Sequence, residues 1–138
     1  MKTPKKLERA FAFLRGKGLE YPEAVEEFPW GETALKVRGK VFGLLSLEGR
    51  SFSMSVKLPK SNMAALMFPF ASPTGYGLGK SGWVTAKFEG AVDVPTDLLE
   101  EWLDESYRTI APKRVVASLD AGEETPTRKK TKRAAPKK

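Results

Sequence analysis

The sequence predicts an α+β domain of two layers, an antiparallel sheet with its main helices on one face. Three observations lead there. Runs around residues 35–58 and 83–88 alternate apolar and polar residues with the period of two of half-buried strands. Stretches near both ends instead place apolar residues on one helical stripe. The resulting order of helix, meander, short helix, strand and helix is one that segregates helices to one side of a sheet, leaving the other side to solvent.

Thr3-Pro4 reads as a helix start, with Thr as cap, and Leu7, Phe11 and Leu14 share one face of a first helix that Gly16 and Gly18 are expected to end near Arg15. The next segment, "YPEAVEEFPWG", holds two prolines and Gly31, and is expected to form at most a helical turn at Glu23 to Glu27. Leu35 and Val37 then alternate with Lys36 and Arg38, Gly39-Lys40 reads as a hairpin turn, and Val41 to Leu47 forms the second strand. After Glu48-Gly49-Arg50 a third strand alternates Phe52, Met54, Val56 and Leu58 with Ser53, Ser55 and Lys57. Ser61 is the expected cap of a short helix reaching Phe68, and Trp83 to Phe88 is a further strand. Thr96 or Asp97 caps a long helix whose apolar stripe includes Leu99, Trp102 and Leu103, and whose other face carries Asp97, Glu100, Glu101, Asp104 and Glu105. Arg114 to Leu119 reads as a last short helical piece.

The chain of 138 residues suits a single domain, assigned to residues 1–119, followed by a basic tail over 120–138. It contains no cysteine and no histidine, which removes disulfides, zinc sites built on those residues and Ser-His or Cys-His nucleophile pairs. No catalytic residue, metal site or cofactor is assigned, and the expectation is a protein that is not an enzyme. The opening segment lacks the apolar core of a secretory signal and no stretch has the length of a membrane span, so a cytoplasmic protein is expected.

Residues 74–83, "TGYGLGKSGW", carry two nucleotide-binding spellings at once. The P-loop spelling fails because Thr74 stands where the first glycine belongs. The G-x-G-x-x-G spacing of Gly77, Gly79 and Gly82 is complete, but both motifs aim a helix N-terminus at the phosphate. Here a strand follows, so the run is read as a connection.

The net charge of +7 is unevenly distributed: residues 121–138 contribute +5 and residues 1–120 only +2. The tail has no aliphatic residue larger than alanine and no aromatic one, and is expected to be disordered. Its Arg128, Lys129, Lys130, Lys132 and Arg133 form a cationic run suited to a phosphate backbone. Within the domain, alternation puts Lys36, Arg38, Lys57 and Lys87 on the open sheet face with Trp83 and the hydroxyls of Ser53, Ser55 and Thr85. Cations for phosphates and an aromatic for bases are the components of a nucleic-acid surface.

"YPEAVEEFPWGETALKVRGKVFGLLSL", the stretch Leu78 to Val84 with its Lys80-x-x-Trp83 pattern, and Ser106-Tyr107 in the last long helix together resemble the YjbR/MmcQ family over about residues 5 to 118. The resemblance implies a CyaY-like fold and DNA binding, the label its members often carry, and supplies no catalytic residue. A frataxin-like role in iron handling does not follow, because the first helix presents Lys5, Lys6, Arg9 and Arg15 where that family presents an acidic ridge. The expected partner is nucleic acid, DNA in preference to RNA, bound with low sequence specificity through Lys36, Arg38, Lys57, Lys80, Trp83, Lys87 and the tail. The alternative is a protein-interaction module docking through the acidic face of the last long helix.

Overall fold

The computed structural model of the protein describes residues 3–28, 32–75 and 78–124. Helix α1, Lys5–Leu19, buries Leu7, Ala10, Leu14 and Gly18, a spacing of three and four that keeps one face against the sheet. It continues four residues past the expected end, through both glycines. A Cβ at Gly18 would come within 2.4 Å of Leu35 Cδ1, so any side chain at that position requires the core leucine to shift. Gly16 has open space around it and is simply tolerated, at about 1 kcal/mol relative to alanine. Thr3 does not cap the helix. Its hydroxyl donates to the Gly49 carbonyl at 2.7 Å and fastens the chain entry to a distant turn, while Pro4 takes the N-cap position.

The segment expected as a helical turn is instead strand β1, Ala24–Glu27, paired antiparallel with β2, Thr33–Val37. Its acids have partners on three sides: Glu26 takes Arg15 of α1, Glu27 takes Lys36 of β2 at 2.8 Å, and Glu23, just before the strand, takes Arg38. These partners are remote in sequence, so no local pattern signals the strand.

Strand β3, Lys40–Glu48, follows a turn centred on Arg38 and Gly39, one residue earlier than expected. Both have positive φ, 53° and 81°, the requirement of a two-residue type I′ hairpin. Arg38 therefore leaves the strand and adopts a conformation unfavourable for a residue with a Cβ. Its two-pronged contact with Glu23, itself at φ 61°, holds the turn.

Strand β4, Ser51–Lys57, pairs with β3 on one side and with β6, Trp83–Glu89, on the other. Helix α2 is only one turn, Asn62–Ala65; Ser61 stands at its N-cap but gives its hydroxyl to Glu105 rather than to the helix. The short edge strand β5, Ala71–Pro73, which the sequence did not signal, pairs with β6. The six-stranded antiparallel sheet thus has the order β1-β2-β3-β4-β6-β5.

Helix α3, Thr96–Ile110, lies with α1 on one face of the sheet. It starts at Thr96, so neither Thr96 nor Asp97 is the cap expected of it; Pro95 holds the N-cap position, with no side-chain cap. Leu99, Leu103 and Tyr107 join Leu7, Leu35, Phe42 and Phe52 in one apolar core. Helix α4, Lys113–Glu124, contributes Val115 to it and extends past the boundary drawn at residue 119. Residues 125–138, with the basic run Arg128 to Arg133, lie outside the described residues, as does Pro29-Trp30-Gly31. No described helix is long and apolar enough to cross a membrane.

Candidate nucleic-acid interface

The sheet face away from α1 and α3 is set by strict alternation in its two best-paired strands. Phe52, Met54 and Val56 of β4 and Val84, Ala86 and Phe88 of β6 point into the core, which turns the residues between them outward. Register then fixes rows across the two strands: Lys57 beside Trp83, Ser55 beside Thr85, Ser53 beside Lys87 and Ser51 beside Glu89. With a rise of about 3.4 Å per residue, the rows bearing Lys57 and Lys87 are about 14 Å apart.

The predicted cations separate into two groups. Lys57 and Lys87 lie on this face without an ion pair among the described residues. Lys36 is also outward, but its ammonium, 23% exposed, is held by Glu27. Arg38 is a correction: the shifted turn takes it off the face, and Glu23 occupies its guanidinium. The hydrogen bond from Arg38 and its charge hold the Glu23 carboxyl below its ordinary pKa, so the pair persists through neutral pH. Lys80 lies on the 3-10 turn Leu78–Ser81 that leads into Trp83.

Between the rows of Lys57 and Lys87 runs a line of hydroxyls. Ser55 Oγ and Thr85 Oγ1 are 2.8 Å apart, and Thr85 Oγ1 and Thr74 Oγ1 are 2.9 Å apart. Thr74 escaped the sequence reading because it follows β5; its N–H donates to the Trp83 carbonyl at 3.1 Å. The far end of the face is acidic, with Glu48 and Glu89 flanking Ser51. A polyanion is accordingly attracted to the Lys57 end and repelled from the other.

The described residues of the glycine run do not form a phosphate cradle. Gly82 leads directly into β6, and the N–H groups of Leu78, Gly79 and Gly82 are bonded to the carbonyls of Gly75, Thr74 and Gly79. Gly79 is needed for close packing, since a Cβ there would come within 2.8 Å of Pro73 Cβ. Tyr76 and Gly77 lie outside the described residues. Calorimetry with ATP and GTP is expected to give no heat of binding for either the parent or Lys80→Ala; micromolar binding abolished by the substitution would restore the nucleotide site.

The acidic face of α3 is largely consumed inside the molecule. Asp104 accepts from the Tyr21 hydroxyl at 2.8 Å and pairs with Arg108. Glu100 lies 4.0 Å from Lys17, and Glu105 accepts from the N–H groups of Lys60 and Ser61 and from the Ser61 hydroxyl. Burial and the nearby Asp104 charge raise the pKa of the Tyr21 phenol, keeping it a neutral donor. Asp97 and Glu101 remain exposed. Among the described residues no three acidic side chains converge as a cation site would need.

A six-stranded antiparallel sheet with α1 and α3 on one face and a polar, partly cationic opposite face defines a two-layer α+β domain. Residues 19–109 match the YjbR family model, and the chain belongs to that family. Solved structures that share the fold include the following two. The Deinococcus radiodurans protein DR2400, described with a DUF419 domain, is 28% identical, with a TM-score of 0.61 over 78% of this chain and 85% of that one. A Pseudomonas syringae protein is 16% identical, with a TM-score of 0.54 over 72% of this chain and 96% of that one. No curated protein matches the chain at a significant level.

Proposed function

We propose that this protein is a non-catalytic nucleic-acid-binding protein of low sequence specificity, acting on DNA in preference to RNA in the cytoplasm and in association with the nucleoid. The β4–β6 half of the open sheet face positions the nucleic acid, and the cationic tail supplies most of the electrostatic affinity. The observation that carries the reading is the pairing of two unneutralised lysines, Lys57 and Lys87, with Trp83 and a hydroxyl row on one surface. Contacts from lysine and hydroxyl groups to phosphate position a strand without reading its sequence, which accounts for the low specificity.

Replacing Lys57 and Lys87 by Glu tests this. The local charge changes from +2 to −2 at outward positions, so the fold is expected to persist by circular dichroism. The slope of log affinity against log salt should fall by about 1.8, and affinity at about 0.1 M salt by more than tenfold. Reversal of Lys5 and Arg9, exposed on α1 in the other layer, should have a much smaller effect. Equal losses from the two double variants would mean that only net charge matters and that the sheet face is a solvated surface.

A further inference from the structure

We infer that the ligand of this face is a single strand, with one phosphate on the Ser55–Thr85–Thr74 hydroxyl row and an adjacent base stacked on Trp83; the inference rests on the nucleic-acid reading above. The first argument concerns protons. Three hydroxyls joined by two hydrogen bonds use two of their three protons internally, whichever way the chain of donors runs. The third proton has no acceptor among the described residues and is free for an external oxygen. The row is flanked by the rows of Lys57 and Lys87, so that oxygen is best satisfied by an anion.

The second argument concerns Trp83. It lies between Lys57 on β4 and Thr74 beyond β5, and two residues from Thr85, hence about 7 Å from the hydroxyl row on the same face. A phosphate on the row therefore leaves a neighbouring base within reach of the indole. Stacking of that kind needs a base whose face is free, which a paired base in a continuous duplex does not offer.

The third argument concerns size. A six-stranded sheet spans about 24 Å across its strands, twice the roughly 12 Å width of the major groove of B-DNA, so the face cannot enter the groove as a two-stranded ribbon does. A duplex can only rest on it through its backbone. A single strand can lay phosphate and base on the same patch.

The test uses the full chain at about 0.2 M salt, where the contribution of the tail is reduced. The probes are a mixed-sequence strand of about 20 nucleotides and the duplex formed with its complement, a length chosen to exceed the roughly 4–16 nucleotides of common single-strand sites. The single strand should bind about 5- to 150-fold more tightly, the range spanned by one base–aromatic stack. Trp83→Leu should remove most of that preference and Trp83→Phe should retain much of it, a rescue that a merely structural role would not give. Emission from a Trp30→Phe, Trp102→Phe variant should be quenched by the single strand. Should that variant fail to fold, the Leu and Phe comparison at position 83 decides alone. Equal binding of duplex and single strand, unaltered by Trp83→Leu, overturns the inference while leaving the phosphate-binding reading intact. Binding of neither form overturns both.

Discussion

Truncation after Glu124 is expected to reduce DNA affinity by orders of magnitude at low salt and to flatten its salt dependence. Residues 125–138 hold seven Lys and Arg and no acid, so the formal charge of the remaining chain is zero. If each cation displaces one condensed counterion, the slope of log affinity against log salt falls by about 0.9 per contact, or about 6 in all. A change of that size separates a binder that loses about 10³ to 10⁵ in affinity between 50 and 200 mM salt from one that loses only about tenfold. The cut is placed after α4, because its residues up to Leu119 pack against the core. Thermal stability should then remain within about 0.5 kcal/mol of the parent. Filter binding or fluorescence anisotropy across a salt series gives the slope directly, and an unchanged slope would remove the tail from the function. What survives truncation measures the sheet face, where Lys57 and Lys87 account for a slope of about 2.

The parts of the fold that were legible in sequence are those whose signal is local. β4 and β6 alternate without interruption, and the stripe of α3 is carried by Leu99, Trp102, Leu103 and Ser106 at helical spacing. Alternation alone therefore assigns Lys57, Trp83 and Lys87 to one face. β1 was not legible, because a four-residue strand with two glutamates becomes a strand only through pairing with β2 and through partners on α1 and β2. Gly39 marks the hairpin, but the sequence does not show which neighbour joins it in the turn, and that choice removed Arg38 from the site. The acids of α3 were similarly misleading. Helical periodicity turns Asp104 and Glu105 away from the apolar stripe, and only the tertiary structure brings Tyr21 and the Lys60–Ser61 backbone to them.

Ser106→Ala is expected to destabilise the protein by about 3 kcal/mol, a large effect for the loss of one oxygen. The hydroxyl is fully buried, donates to the Phe42 carbonyl at 2.6 Å and accepts from the Lys57 N–H at 2.9 Å. It substitutes there for a missing ladder bond. The β2–β3 register shifts between Leu35 and Lys36, leaving Phe42 as an extra residue, and regular β3–β4 pairing stops at Leu44 and Ser55. Alanine would leave a carbonyl and an N–H without partners, and each buried unsatisfied group costs about 1 to 3 kcal/mol beyond the bond itself. The thermal midpoint should drop by about 10 °C. The same change loosens the backbone of Lys57, the residue beside Trp83, so exchange of the Lys57 amide proton should accelerate and nucleic-acid affinity should fall. Leu99→Ala, a core truncation expected to cost about 2 to 5 kcal/mol, is the control, since it should lower stability while leaving that row in place. A loss below about 1 kcal/mol for Ser106→Ala would mean that water replaces the hydroxyl. Equal affinity losses in both variants would mean that Ser106 supports stability without positioning the site.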